Sequence, residues 1–378
     1  MQATETSRFP TAATLAAWLR LEQTPGVGLV TAHRLLEKFG APEAIFQADR
    51  TQLLEVVKPS QARALLAPQA TMTVLPAALA AQLDALLAWR DQPGNVLLTL
   101  GHPDYPEPLR QIGGAPLMLY VRGDASLLTR TSVAVVGSRN ASVMGMQNAE
   151  RMARALSEAG VTIVSGLALG IDAAAHVGGL AGAGSTVAVI GTGIDRIYPA
   201  RNAGLARRIA AEGCMVSEYA LGTPPKPDNF PRRNRVISGL ARAVLVVEAA
   251  ARSGSLITAA LAAAQGRDVY AMPGSIHSTL SKGCHRLIRE DGAKLVETAQ
   301  DVMSELRMGI DAVATGSHFD DSFVDIVLGA MGDAPIRAET LAAHLQQSAA
   351  DLQGQLLALE LAGLLERLPG GWLQRLRP

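Results

Sequence analysis

Cysteine is scarce: Cys214 and Cys284 are the two in 378 residues. They can form neither a disulfide framework nor a CxxC site, which fits a reducing compartment and implies no structural zinc. Seven scattered histidines add no metal-ligand spacing. Net charge is absent as well, with 34 basic residues against 34 acidic ones. A protein that coats polyanions in general is thereby excluded, although a local basic groove is not. Aromatic residues make up 4% of the chain, so any stacking surface must be built from few rings. No uninterrupted apolar run of about 18 residues occurs, and Met1 to Phe9 is polar, with no basic segment leading into an apolar one. The expectation is a soluble, unexported, cytoplasmic protein with no membrane partner. Two nucleotide signatures are missing too. The turn Gly137-Ser138-Arg139-Asn140 lacks GxGxxG, and GxxxxGK[ST] occurs nowhere, so neither a standard NAD site nor a Walker-type ATPase is expected and no cofactor is implied.

The length suggests two or three domains. Residues 11–90 read as helical, because Leu15, Trp18, Leu19, Val27, Val30, Leu35, Leu36 and Phe39 recur at amphipathic spacing. Pro25-Gly26-Val27-Gly28 interrupts them and resembles the hairpin of a helix-hairpin-helix or SAM-like unit; a plain turn between core helices fits equally. Over residues 95–306 short β-branched runs alternate with helical stretches. Strands are predicted at Ser132 to Val136, Val161 to Val164, Thr186 to Ile190, Met215 to Ser217, Ala243 to Val247, Asp268 to Ala271 and Lys294 to Val296. Apolar strands separated by crossovers predict a doubly wound, Rossmann-like parallel sheet, an α/β fold. Residues 307–321 read as a linker. Residues 322–378 predict three helices (Phe323 to Met331, Ala338 to Leu345, Ala350 to Leu364) and a hairpin over Glu366 to Leu376, a winged-helix pattern. Its third helix carries Asp351 and Glu360 and no basic residue before Arg367, a poor match to a DNA major groove, so a protein-interaction role fits the tail at least as well.

Positive charge is concentrated in one place. From Lys226 to Arg242 five basic residues stand against Asp228 alone, a net charge of +4. Arg232, Arg233, Asn234 and Arg235 offer phosphate donors, and Phe230 offers a flat face for a base; an ion-paired surface is the plain alternative. Several predicted strands end in glycine-bearing turns, Gly137-Ser138-Arg139, Ser165-Gly166, Gly191-Thr192-Gly193 and Pro273-Gly274-Ser275, which should converge on one crevice at the strand ends. Asp172 and His176 lie one helical turn apart and admit two readings: an acid–base pair, or a loop-capping carboxyl beside a packed imidazole. Ser253-Gly254-Ser255 and Lys282 complete the polar loops, with helix caps as the plain reading.

Taken in order, Gly137-Ser138-Arg139, Ser165 to Asp172, Gly191 to Asp195 with Tyr198-Pro199 and Asn202, Phe230 to Arg235, Val247-Glu248, Ser253 to Leu256, Pro273-Gly274 and Lys282 to His285 closely resemble the DNA-processing protein A family, DprA or Smf. The segment Gly101 to Leu109 and both terminal regions match as well. The resemblance implies a non-enzymatic protein that binds and protects single-stranded DNA and helps load the recombinase RecA during natural transformation, as a homodimer formed through the Rossmann-like domain. On this analogy Arg139, Lys226, Phe230, Arg232, Arg233, Asn234, Arg235 and Lys282 meet DNA. Gly137, Ser138, Ser165, Gly166, Gly170, Asp172, Gly191, Ser253 and Gly254 line the pocket. The competing expectation is an enzyme of a related Rossmann-like family that cleaves N-glycosidic bonds, but Pro273-Gly274-Ser275-Ile276 departs at its third position from the Pro-Gly-Gly loop of those relatives.

Overall fold

A computed structural model describes residues 10–67, 76–306, 327–331, 335–345, 365–368 and 372–375, together with Leu352, Leu356 and Leu359. The chain divides into two compact units, Met1–Gly309 and Ile310–Pro378. The expected linker lies outside the described residues.

The first unit begins with six helices: α1 (Ala12–Gln23), α2 (Leu29–Phe39), α3 (Pro42–Gln47), α4 (Arg50–Leu54), α5 (Pro59–Leu66) and α6 (Ala77–Arg90). There follow β1 (Asn95–Thr99), α7 (Glu107–Arg110), β2 (Met118–Gly123), β3 (Ser132–Val136), α8 (Val143–Glu158), β4 (Thr162–Ser165), α9 (Ile171–Gly179), β5 (Thr186–Val189), α10 (Ala203–Glu212) and β6 (Cys214–Ser217). The unit closes with α11 (Asn229–Leu240), β7 (Ala243–Val246), α12 (Ser255–Ala264), β8 (Asp268–Ala271), α13 (Lys282–Arg289), β9 (Lys294–Leu295) and α14 (Ala299–Glu305). All seven predicted strands are present, with ends shifted by at most one residue. They form the parallel part of a nine-stranded sheet of order β1-β2-β6-β5-β4-β3-β7-β8-β9. β1 and β2, not anticipated from sequence, extend it as antiparallel strands beside β6.

Burial on both faces explains the continuous apolar runs. Ala134 and Val136 of β3 join one hydrophobic core with Val244 and Val246, while Val133 and Val135 join the opposite core with Ala243 and Leu245. The chain winds from β3 outward to β6 on one side, then returns to β7 on the other. The turns after β3 and β7 therefore flank a topological switch point, where sheets of this class open a crevice.

The helical region packs directly on the sheet. Leu15, Trp18, Leu86 and Trp89 share one core with Leu97, Tyr120, Ala188, Ile190 and Met215, and the Trp89 and Tyr120 rings lie 5.5 Å apart. Gly26 takes a positive φ of 78° in the turn between α1 and α2. Val30, read as a core position, is instead 63% exposed.

In the second unit, Leu341, Leu352, Leu356, Leu359, Leu365 and Leu373 share a separate core. Helix α15 (Ala338–Leu345) and strands β11 (Leu365–Leu368) and β12 (Trp372–Arg375) follow the winged-helix expectation, and β10 (Ile336–Arg337) adds a third strand in the order β10-β12-β11. Most of the expected third helix, with Asp351 and Glu360, and the Pro369-Gly370-Gly371 turn lie outside the described residues.

The turn after β4 is held from beneath by a neutral histidine. His176 is fully buried; its Nε2 accepts from Leu167 N–H at 3.2 Å and its Nδ1 lies 2.7 Å from Thr186 Oγ1. The Thr186 hydroxyl donates to Ile163 O, so Nδ1–H must be the donor to Thr186. A protonated ring would aim N–H at N–H. Burial, then the Arg233 charge, pushes the imidazole pKa from 6.5 down to about 3.

Two predictions follow from this packing. A fragment cut to residues 95–306 uncovers the Tyr120 face of the sheet, at roughly 1.5–3 kcal/mol for each large side chain. It should lose the cooperative thermal unfolding that residues 1–309 retain; equal melting of both fragments would mean that the shared core contributes little. The second concerns acid. Unfolded His176 binds a proton near pH 6.5 and the folded ring does so only near 3, so its contribution is complete above 6.5 and declines as pH falls, by about 2 kcal/mol at pH 5. Glu22, Asp172 and Glu218 act oppositely, because burial raises their carboxyl pKa values. The readout is therefore a difference: in urea unfolding the stability gap between the wild type and His176→Gln should narrow by about 2 kcal/mol from pH 7.5 to pH 5. A gap that does not change with pH would contradict this.

Candidate nucleic-acid interface

The carboxyl ends of β3, β4 and β7 open onto a pocket of about 350 Å³. Gly137, Ser138, Asp172, Ser253 and Gly254 of the expected pocket set line it, with Arg139, Phe230, Arg233 and Asn234 of the set expected to meet DNA, and Asn140, Ser255 and Thr258; Lys226, Arg232, Arg235 and Lys282 are not on its wall. Ser165, Gly166, Gly170 and Gly191 are not on its wall; they shape it from behind. The Ser165 hydroxyl donates to Val135 O at 2.7 Å, tying β4 to β3. Gly170 has a φ of 76°, and a side chain there would collide with Ser138 O. Beneath the Phe230 ring lies Gly191, where a Cβ would come within 3.0 Å of the ring edge.

The turn after β3 is closed by an internal anion. Ser138 N–H donates to Glu248 O at 2.7 Å, while the Glu248 carboxyl accepts from Ser142 N–H (2.9 Å) and from the Ser142 hydroxyl (2.6 Å). Ser142 caps α8 through Gly145 N–H, and any side chain on Gly145 would strike the Glu248 carboxyl. The amino end of this helix is where a Rossmann-like sheet commonly receives a phosphate. Glu248 fills it.

Arg233 is not on the surface. It is 3% exposed, its Nη1 donates to Gly166 O (2.7 Å) and to Val189 O, and a Cβ on Gly166 would approach Nη2 to 2.7 Å. Burial lowers its pKa to about 10, with Asp172 opposing the shift, so the group stays cationic at neutral pH. Asp172 is buried too and accepts from Ala168 N–H at 3.3 Å. Burial raises its carboxyl pKa, opposed first by Arg233. With both ring nitrogens of His176 engaged elsewhere, the structure favours the capping and packing reading of Asp172 and His176 over an acid–base pair.

The remaining cations differ in how free they are. Arg235 is ion-paired with Glu218 and half-buried. Lys282 is exposed and donates to Ile276 O at 2.6 Å. Arg139, Lys226 and Arg232 are exposed and have no ion-pair partner among the described residues. The Arg139 guanidinium lies 5.7 Å from the centroid of the half-buried Phe230 ring, whose other neighbour is Tyr198, with centroids 5.4 Å apart and planes inclined at 41°. Tyr198, 47% exposed, was not among the residues expected at the site. Its position beside Phe230 depends on the fold of the loop after β5, which spacing in the chain does not reveal.

Known proteins give the same picture. The profile of the family described as DNA recombination-mediator protein A matches residues 96–307, that of the DprA winged helix domain residues 324–371, and that of a SAM-like helix-hairpin-helix tandem residues 19–67. Protein Smf of Escherichia coli is 39% identical over 303 residues, covering 77% of this chain and 80% of that protein. The crystal structure of DNA processing protein A from Streptococcus pneumoniae superposes with a TM-score of 0.64 at 37% identity, over 79% of this chain and 98% of that one. The Helicobacter pylori protein, whose structure concerns its single-stranded DNA binding mode, superposes with a TM-score of 0.52 at 29% identity, over 56% of this chain and 95% of that one. Fold, motif order and profile therefore agree, and the chain belongs to the DNA recombination-mediator protein A family, whose members carry the names DprA and Smf.

Proposed function

We propose that the protein binds single-stranded DNA at this pocket, protects it, and passes it to the recombinase RecA during natural transformation. The observation that carries the reading is the exposed Arg139 guanidinium on the pocket wall, without an ion-pair partner among the described residues and 5.7 Å from the Phe230 ring, with two further exposed cations, Lys226 and Arg232, in the segment that carries Phe230. Such a site suits a strand whose phosphates and unpaired bases are both accessible; duplex DNA hides the base faces that rings need. Membership of a family of recombination mediators and the single-stranded DNA binding of the Helicobacter pylori relative support it. Action in the cytoplasm, as a homodimer through the Rossmann-like domain, belongs to the same reading. Action by binding and not by catalysis belongs to it as well, supported by Glu248 at the amino end of α8 and by the engagement of Asp172 and His176 in holding the loop.

Affinity for single strands should exceed that for duplex and fall with salt at about −0.7 in log–log slope per phosphate contact. Arg139→Ala should weaken binding and flatten the slope by about 0.7. Arg233→Ala should instead cost about 3–5 kcal/mol of folding stability, since it removes one partner from a buried set of charges and carbonyls. Equal affinity for duplex, or an unaltered slope in Arg139→Ala, would contradict the assignment. Against the enzymatic alternative, incubation with nucleoside monophosphates should release no free base by chromatography, and steady release would reinstate it.

A further inference from the structure

The loop between β5 and α10 carries a second exposed ring and two further cations. Tyr198 is flanked in the chain by Arg196 and Arg201, both exposed and without an ion-pair partner among the described residues. None of the three lines the pocket. We infer that this loop is a second nucleotide-binding limb, on which a base of the strand leaving the pocket stacks on Tyr198 while Arg196 and Arg201 hold its phosphates.

Ring geometry carries the argument. At 5.4 Å between centroids, Phe230 and Tyr198 are in direct contact, so no base can enter between them. Phe230 is hemmed in by Tyr198, by Arg139 and by Gly191 underneath. Phe230 keeps its open surface toward the pocket, whereas Tyr198, 47% exposed, offers a ring outside it. Nearly half exposed and braced by the tilted Phe230 ring, Tyr198 is available as a stacking platform.

The loop is also held in place before any ligand arrives. Gly193 N–H donates to Thr223 O at 3.0 Å, Thr192 Oγ1 to Arg196 O at 2.5 Å, and Asn202 Nδ2 to Leu167 O at 2.9 Å. The acid nearest in the chain, Asp195, accepts Gly222 N–H on both oxygens (2.9 and 3.0 Å) and forms no ion pair with Arg196. Both arginines thus remain available, and little ordering entropy opposes binding. A strand that reaches them extends the contact beyond the pocket, so the limb should act on long strands and leave short ones unaffected.

The inference rests on the single-strand reading above, and strand length separates the two. Fluorescence anisotropy would compare oligothymidylates of about 4 and about 16 nucleotides, near the two ends of the range of single-strand site sizes. Tyr198→Ala should weaken binding of the longer strand about tenfold or more and change that of the shorter less than about twofold, while Tyr198→Phe binds both like the wild type. The double variant Arg196→Ala/Arg201→Ala should flatten the salt slope of the longer strand by about 1.4 and leave that of the shorter unchanged. Urea midpoints equal to the wild type would establish that the variants are folded. Normal binding of the long strand by Tyr198→Ala, or equal weakening of both strands, would overturn the inference. A wild-type protein that binds neither strand would remove the underlying reading, and this inference with it.

Discussion

The buried guanidinium of Arg233 is the contact on which the site depends. Through Gly166 O and Val189 O it fastens α11 to the carboxyl ends of β4 and β5, and it faces Asp172 across the pocket floor. An unpaired charge in this interior would be costly, so carbonyls, carboxyl and guanidinium must be in place together. Their geometry fixes residues around them. Gly166 can have no side chain because Arg233 occupies that space, and α11 is set so that Phe230 and Asn234 line the pocket.

Around this anchor, charge is divided between two tasks. Arg233 and Arg235 are neutralised within the fold, whereas Arg139, Lys226 and Arg232 are left open on a protein with no net charge. The Glu248 carboxyl completes the division by occupying the amino end of α8. The helix end where such a sheet commonly cradles a nucleotide phosphate is thereby taken by a carboxyl group of the protein itself, while Arg139 stays exposed on the pocket wall.

Much of this was legible in the residues. The parallel strands β3 to β7 read clearly because both their faces are buried, and runs rich in Val, Ile and Ala follow. β1 and β2 were missed because the glycine- and proline-rich chain between them gives no hairpin signal. β10 has only two residues. Arg233 was taken for a surface cation from the charge run, although the helical period held the correction: Asn229, Arg233, Val236, Ile237 and Leu240 recur at three- and four-residue steps, and all are buried. Glu248 and Tyr198 stood in the motifs that carry the resemblance, but their roles were not legible, since their partners Ser142 and Phe230 are far away in sequence and only the folded loops bring them together.

The most direct measurement is a structure of the protein bound to a short oligothymidylate. The account predicts phosphates within hydrogen-bonding distance of Arg139 and Lys226, Arg233 still on Gly166 O and Val189 O, and Glu248 undisplaced on Ser142. A phosphate at the amino end of α8 with Glu248 expelled, or a strand bound away from this pocket, would contradict it.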